Sequence, residues 1–79
     1  MNSGSYLNEF EKGSKLKIIA ILAEGELKKR LISFGLIKGE RVEIVEYAPS
    51  KTALKVQVGK SSIALRRDEA KMIKVVQNG

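Results

Sequence analysis

The sequence predicts a mainly β fold: a small barrel with one short helix after the first strand and a helical turn before the last strand. Three observations carry that expectation. Several short segments alternate apolar and polar residues, the period of a strand with one face in a core. The segment EGELKKRLISFGL instead has the period of an amphipathic helix. Glycines and a single proline punctuate the chain where these segments must turn. Strands this short bury enough surface only when the sheet curls on itself, which also protects its edges. Seventy-nine residues leave room for one core.

Residues 1–5, MNSGS, are small and polar and are expected to fray, as are residues 78–79; residues 6–77 form the domain. In YLNEFEKG, Leu7 and Phe10 sit three apart, which fits one helical turn laid on an apolar surface, with Asn8 starting it and Gly13 closing it. KLKIIAILAE is the first long strand. Leu16 and Ile18 alternate with Lys15 and Lys17, and the apolar run over 18–22 suggests cover on both faces. In the helix, Leu27, Leu31 and Phe34 form the stripe. Glu24 and Glu26 lie at its start and Lys28, Lys29 and Arg30 follow, matching the helix dipole in sign. Gly35 reads as a left-handed cap with the apolar Leu36 behind it.

After a Lys38-Gly39 turn, Val42 and Ile44 alternate with Arg41 and Glu43 until Pro49-Ser50 breaks the strand. TALKVQVGKSSIALR reads as a hairpin: Leu54, Val56 and Val58 go out, Ile63 and Leu65 return, and Gly59-Lys60 makes the corner. RDEAKM supplies one helical turn capped by Asp68, and 73–76 is the last strand, giving five strands in all.

Composition excludes several function classes. Cysteine and histidine are both absent, which removes disulfides, thiolate and imidazole metal sites, and the commonest general base. Glu40, Glu43, Glu46, Asp68 and Glu69 could offer only hard oxygen ligands, a poor set for a metal that imidazole and thiolate suit better, and no metal site is expected. Ser61, Ser62 and Lys60 have no activating partner, and Glu24 and Glu26 do not face each other on a helix. The expectation is a protein that is not an enzyme and needs no cofactor. Without an apolar span or a leader pattern, it is expected in the cytoplasm. A net charge of +6 invites a polyanion. Yet the aromatics are few and acidic residues are interleaved with the basic ones, which argues against nucleic acid.

In order and spacing, RLISFGLIKGERVEIV, a proline-containing loop and VQVGKSSIALRRDEAKMIKV resemble the FeoA family. The resemblance rests on Arg30-Leu31, Phe34-Gly35-Leu36 and Gly39, on Val56 to Gly59, and on Ile63 to Arg67 with Glu69-Ala70 and Ile73. Prolines frequent in the family are missing before Gly13 and at Lys38, both loop positions. The resemblance implies an SH3-like barrel that assists a FeoB-type ferrous iron transporter by protein contact, at the cytosolic face of the membrane. The rival reading is a free-standing basic barrel that binds nucleic acid, related to a domain of iron-dependent repressors.

Candidate partner-binding residues are Lys28, Lys29, Leu36, Ile37, Tyr47, Arg66 and Arg67, with core packing the competing role for Leu36 and Tyr47. Arg66 and Arg67 pose the sharpest question. They could form an ion-pair cluster with Asp68, Glu69, Glu43 or Glu46, receive an acidic partner surface, or hold a phosphate. An unpaired barrel edge would also permit self-association.

Overall fold

Alternation along the chain becomes burial along each strand. The computed structural model describes residues 5–78. In chain order these form β1 (Ser5–Tyr6), a 3-10 turn (Leu7–Glu9), β2 (Lys15–Ile21), α1 (Gly25–Ser33), β3 (Arg41–Tyr47), β4 (Ala53–Val58), β5 (Ser61–Arg66), α2 (Arg67–Ala70) and β6 (Ile73–Gln77). The strands make one antiparallel sheet in the order β1-β6-β2-β3-β4-β5. Val42 and Ile44, Leu54, Val56 and Val58, and Ile63 and Leu65 all point into one buried cluster, as alternation requires.

A sixth strand, β1, joins the expected five. Ser5 stands opposite Val75 and Tyr6 opposite Lys74, so Ser5 belongs to the sheet and not to a frayed end. The other residues expected to fray at the start, 1–4, and residue 79 lie outside the described residues. Asn78 donates its N–H to the Lys15 carbonyl at 2.9 Å, continuing the ladder by one bond.

Two β-bulges make the sheet roll. Ile18 pairs with Val75 and Ala20 with Lys74, leaving Ile19 as the extra residue of β2. Ile44 pairs with Val56 and Glu46 with Lys55, leaving Val45 as the extra residue of β3. A bulge adds a residue to one strand only, so the strand bends and its inside–outside alternation slips by one. β2 pairs with β3 over residues 15–17, where β3 begins, and with β6 over 16–21, across its bulge. The bulge also corrects the expectation of cover on both faces over 18–22. Ile18 is fully buried, residues 19–21 are half-buried and Leu22 is 47% exposed.

α1 ends in a Schellman motif. The Leu36 N–H reaches the Leu31 carbonyl at 3.1 Å and the Gly35 N–H reaches the Ile32 carbonyl at 2.9 Å. The motif requires a left-handed residue, which Gly35 supplies with φ +91°. Its apolar pair, Leu31 and Leu36, is fully buried. At the other end of the chain, α2 packs on β5 and on the 3-10 turn, which in turn packs on β6. Side chains and short helices thus join the two ends of the rolled sheet.

Candidate docking surfaces

Two recesses flank the bulges, and together they take up four of the seven sequence candidates. The first is a groove of about 350 Å³ between α1 and β2. Residues 19–21, at and just beyond the β2 bulge, line it together with Ile32 and Ile37. The two isoleucines are 44% and 40% exposed. Lys28 and Lys38 are the charged residues of the lining, and Lys29 is exposed on the same helix.

Leu36, expected as a candidate anchor, is fully buried and serves the core instead. The Schellman cap turns it inward and leaves Ile37 at the rim. Ile32 escaped the sequence reading. The signal was available, because Ile32 lies off the Leu27-Leu31-Phe34 stripe and four residues after Lys28, an apolar side chain on the polar face.

The second recess is a cleft of about 640 Å³ between the 3-10 turn and the start of the β3–β4 loop. Tyr47 and Arg67 line it, as do Glu9, Glu11 and Glu46 with Lys12 and Lys51, so its charges balance. The Tyr47 hydroxyl is shared between the Phe10 carbonyl and, at 3.4 Å, the Asn8 carbonyl, which ties the loop after the 3-10 turn to β3. Partial burial holds the Tyr47 phenol above its ordinary pKa. Asn8 does not start the turn. Glu9 does, its carboxylate accepting the Tyr6 N–H at 2.9 Å. The Asn8 side-chain oxygen is buried in the cleft wall without a hydrogen-bond partner.

Arg66 ends β5 and Arg67 begins α2, and both are exposed. The expected ion-pair cluster does not form around them. Among the described residues the ion pairs are Arg30 with Glu69 at 2.8 Å and Lys55 with Glu46 at 3.9 Å. Nor is Asp68 the cap. The N-cap position falls two residues earlier, at Arg66, and Glu69 takes the capping role, accepting the Arg66 N–H at 2.9 Å. Glu69 is only 7% exposed, and its second oxygen meets Arg30 of α1. One carboxylate therefore links α1 to the first turn of α2.

Among the described residues, no three His, Cys, Asp or Glu side chains gather closely enough to share a metal ion. No helix there is long and apolar enough to cross a membrane.

A rolled six-stranded antiparallel sheet with two short helices, presenting surface recesses, defines a small barrel of the SH3-like class. The FeoA domain family model matches residues 6–77, and the chain belongs to that family, which takes part in Fe(2+) transport. A Campylobacter jejuni relative named Fe(2+) transport protein A is 39% identical over 69 residues, covering 87% of this chain and 93% of its own. The structure of a FeoA-like protein from Clostridium acetobutylicum superposes with TM-score 0.87 at 32% identity, covering 98% of this chain and 90% of that one. A manganese-dependent transcriptional repressor superposes with TM-score 0.88, over 99% of this chain and 38% of its own. At 16% identity that likeness is one of fold alone.

Proposed function

We propose that this protein assists ferrous iron transport by docking on a FeoB-type transporter at the cytoplasmic face of the membrane, with iron as the transporter's substrate. Family membership supports the transport role, and the relatives named for Fe(2+) transport agree with it. The observation that carries the docking reading is the α1–β2 groove. Large apolar side chains left exposed around a recess, with cations at the rim, have the anatomy of a protein contact. Lys28, Lys29 and Ile37 supply that surface, while Tyr47, Arg66 and Arg67 belong to the opposite, charge-balanced side of the proposal.

The test is a pull-down of the full chain against the cytosolic region of a FeoB-type transporter, in each nucleotide state. Specific capture, lost in Ile37→Asp, is the expected result. Absence of capture in every state, together with steeply salt-dependent binding to DNA or RNA, would overturn the proposal in favour of nucleic-acid recognition.

A further inference from the structure

We infer that the α1–β2 groove receives bulky apolar side chains from an acidic amphipathic helix of the partner, whose carboxylates pair with Lys28 and Lys38. The inference rests on the docking reading above and deepens it by naming the chemistry of what docks.

Shape and lining point the same way. The groove is a recess, so it accepts a projecting side chain, and its volume of about 350 Å³ lies at the small end of the range for ligand sites. Exposed Ile32 and Ile37 line it together with the half-buried residues 19–21. An apolar-lined recess of this kind takes the spaced apolar residues of an amphipathic helix.

Charge selects among occupants. No carboxylate lines the groove; its charges are the two lysines. Lys74, opposite Ala20 in the ladder, adds a further cation on the outward face beside the floor. On a chain of net charge +6, an acidic partner gains in association rate and a basic one is repelled.

Two other occupants fit less well. Of its own helices, a second copy of this chain would offer α1, which carries Lys28, Lys29 and Arg30 against Glu26, or α2, which has four residues. The first meets like charge, and the second is too short to present apolar residues over two turns. A bilayer surface has anionic charge but offers no knob to fill a recess.

The experiment follows backbone amide shifts of the full chain during three titrations. The probes are the cytosolic region of a FeoB-type transporter, a synthetic helix with leucine at i, i+3, i+4 and i+7 and glutamate elsewhere, and vesicles containing anionic lipid. The inference expects the first two to move the same amides, at residues 19–21, 32 and 37. It expects Ile37→Asp and Lys28→Glu each to weaken both interactions by about tenfold or more, with the remaining amides unshifted as the sign of an intact fold. Replacing the glutamates of the synthetic helix by lysine should abolish binding to the parent chain and restore some binding to Lys28→Glu.

Binding of the transporter region with shifts confined to Tyr47, Lys51 and Arg67 would overturn the inference and leave the docking function standing. So would binding of the transporter region without any response to the acidic helix. Failure of the transporter region to bind, with the acidic helix still seated, would overturn the proposed function alone. Response to vesicles in place of the helix would assign the groove to a membrane, and concentration-dependent self-association through residues 19–21 would assign it to a second copy. Either result would overturn the inference.

Discussion

The groove beside β2 and the cleft beside β3 are built by the same backbone device and finished with opposite chemistry. Each strand carries one extra residue, Ile19 in β2 and Val45 in β3. Beyond the bulge, β2 ends with Ala20-Ile21 and the chain runs on to Leu22, apolar throughout. Beyond its bulge, β3 continues as Glu46-Tyr47, and the cleft there is lined by three acids and three bases. A bulge creates an outward-facing recess, but the side chains around it decide whether that recess stays wet. The cleft carries equal numbers of acids and bases, with Tyr47 tied to the backbone of the neighbouring loop. The groove leaves Ile32 and Ile37 exposed, with Lys28 and Lys38 as its charged lining. This contrast is why we propose the groove, of the two, as the interaction surface.

The most forceful way to break the comparison is to remove what sets the groove's wall. Leu36→Ala opens a cavity beneath Ile37 and should cost about 3 kcal/mol of stability, read by denaturant unfolding. Because Leu36 is fully buried, binding should suffer through loss of fold rather than loss of contact. The next largest effect should come from Glu69→Ala, which strips the cap from α2 and the ion pair from Arg30 together. A loss of about 2 kcal/mol is expected, with faster amide exchange in both α1 and α2. An effect confined to α2 would show that the link between the helices carries nothing.

Tyr47→Phe probes the cleft alone and should cost about 1 kcal/mol while leaving transporter capture intact. It also has a signature in pH. The folded phenol holds its proton more tightly than the unfolded one, whose ordinary pKa is 10.0. Its contribution is therefore complete below pH 10 and declines as the pH rises through the higher folded value. The pH dependence of the difference between parent and Tyr47→Phe should show that decline; a flat difference would argue that the phenol is not desolvated. The smallest effect is expected from Arg66→Ala and Arg67→Ala. Neither guanidinium belongs to an ion pair among the described residues, so the unfolding midpoint should not move measurably.

Much of this architecture was legible in the sequence because it is written in local patterns. Alternation located β3, β4 and β5, and the Gly59-Lys60 corner located their hairpin. The parts that could not be read depend on register, which local patterns do not specify. An apolar run such as 18–22 is the same string of letters whether a strand is covered on both faces or bulged. Asp68 and Glu69 both suit the start of a helix, and only the residue at which β5 stops decides which of them caps it. β1 is a two-residue strand in a polar stretch, and nothing marks it until β6 lies beside it. Of the groove, Lys28 and Ile37 are legible in the sequence. For Leu36 the sequence leaves anchor and core both open, and the left-handed cap at Gly35, which places the residue after it against the helix, decides for the core.

The bond between Arg30 and Glu69 has a consequence for how docking would proceed. α1 is fastened through its last turn, by the Leu31–Leu36 pair and by Arg30 on a carboxylate anchored in another helix. A wall braced in this manner has little freedom to surrender when something settles against it. The entropy that a loose flap would forfeit on association is already spent in folding, and the partner meets a finished surface.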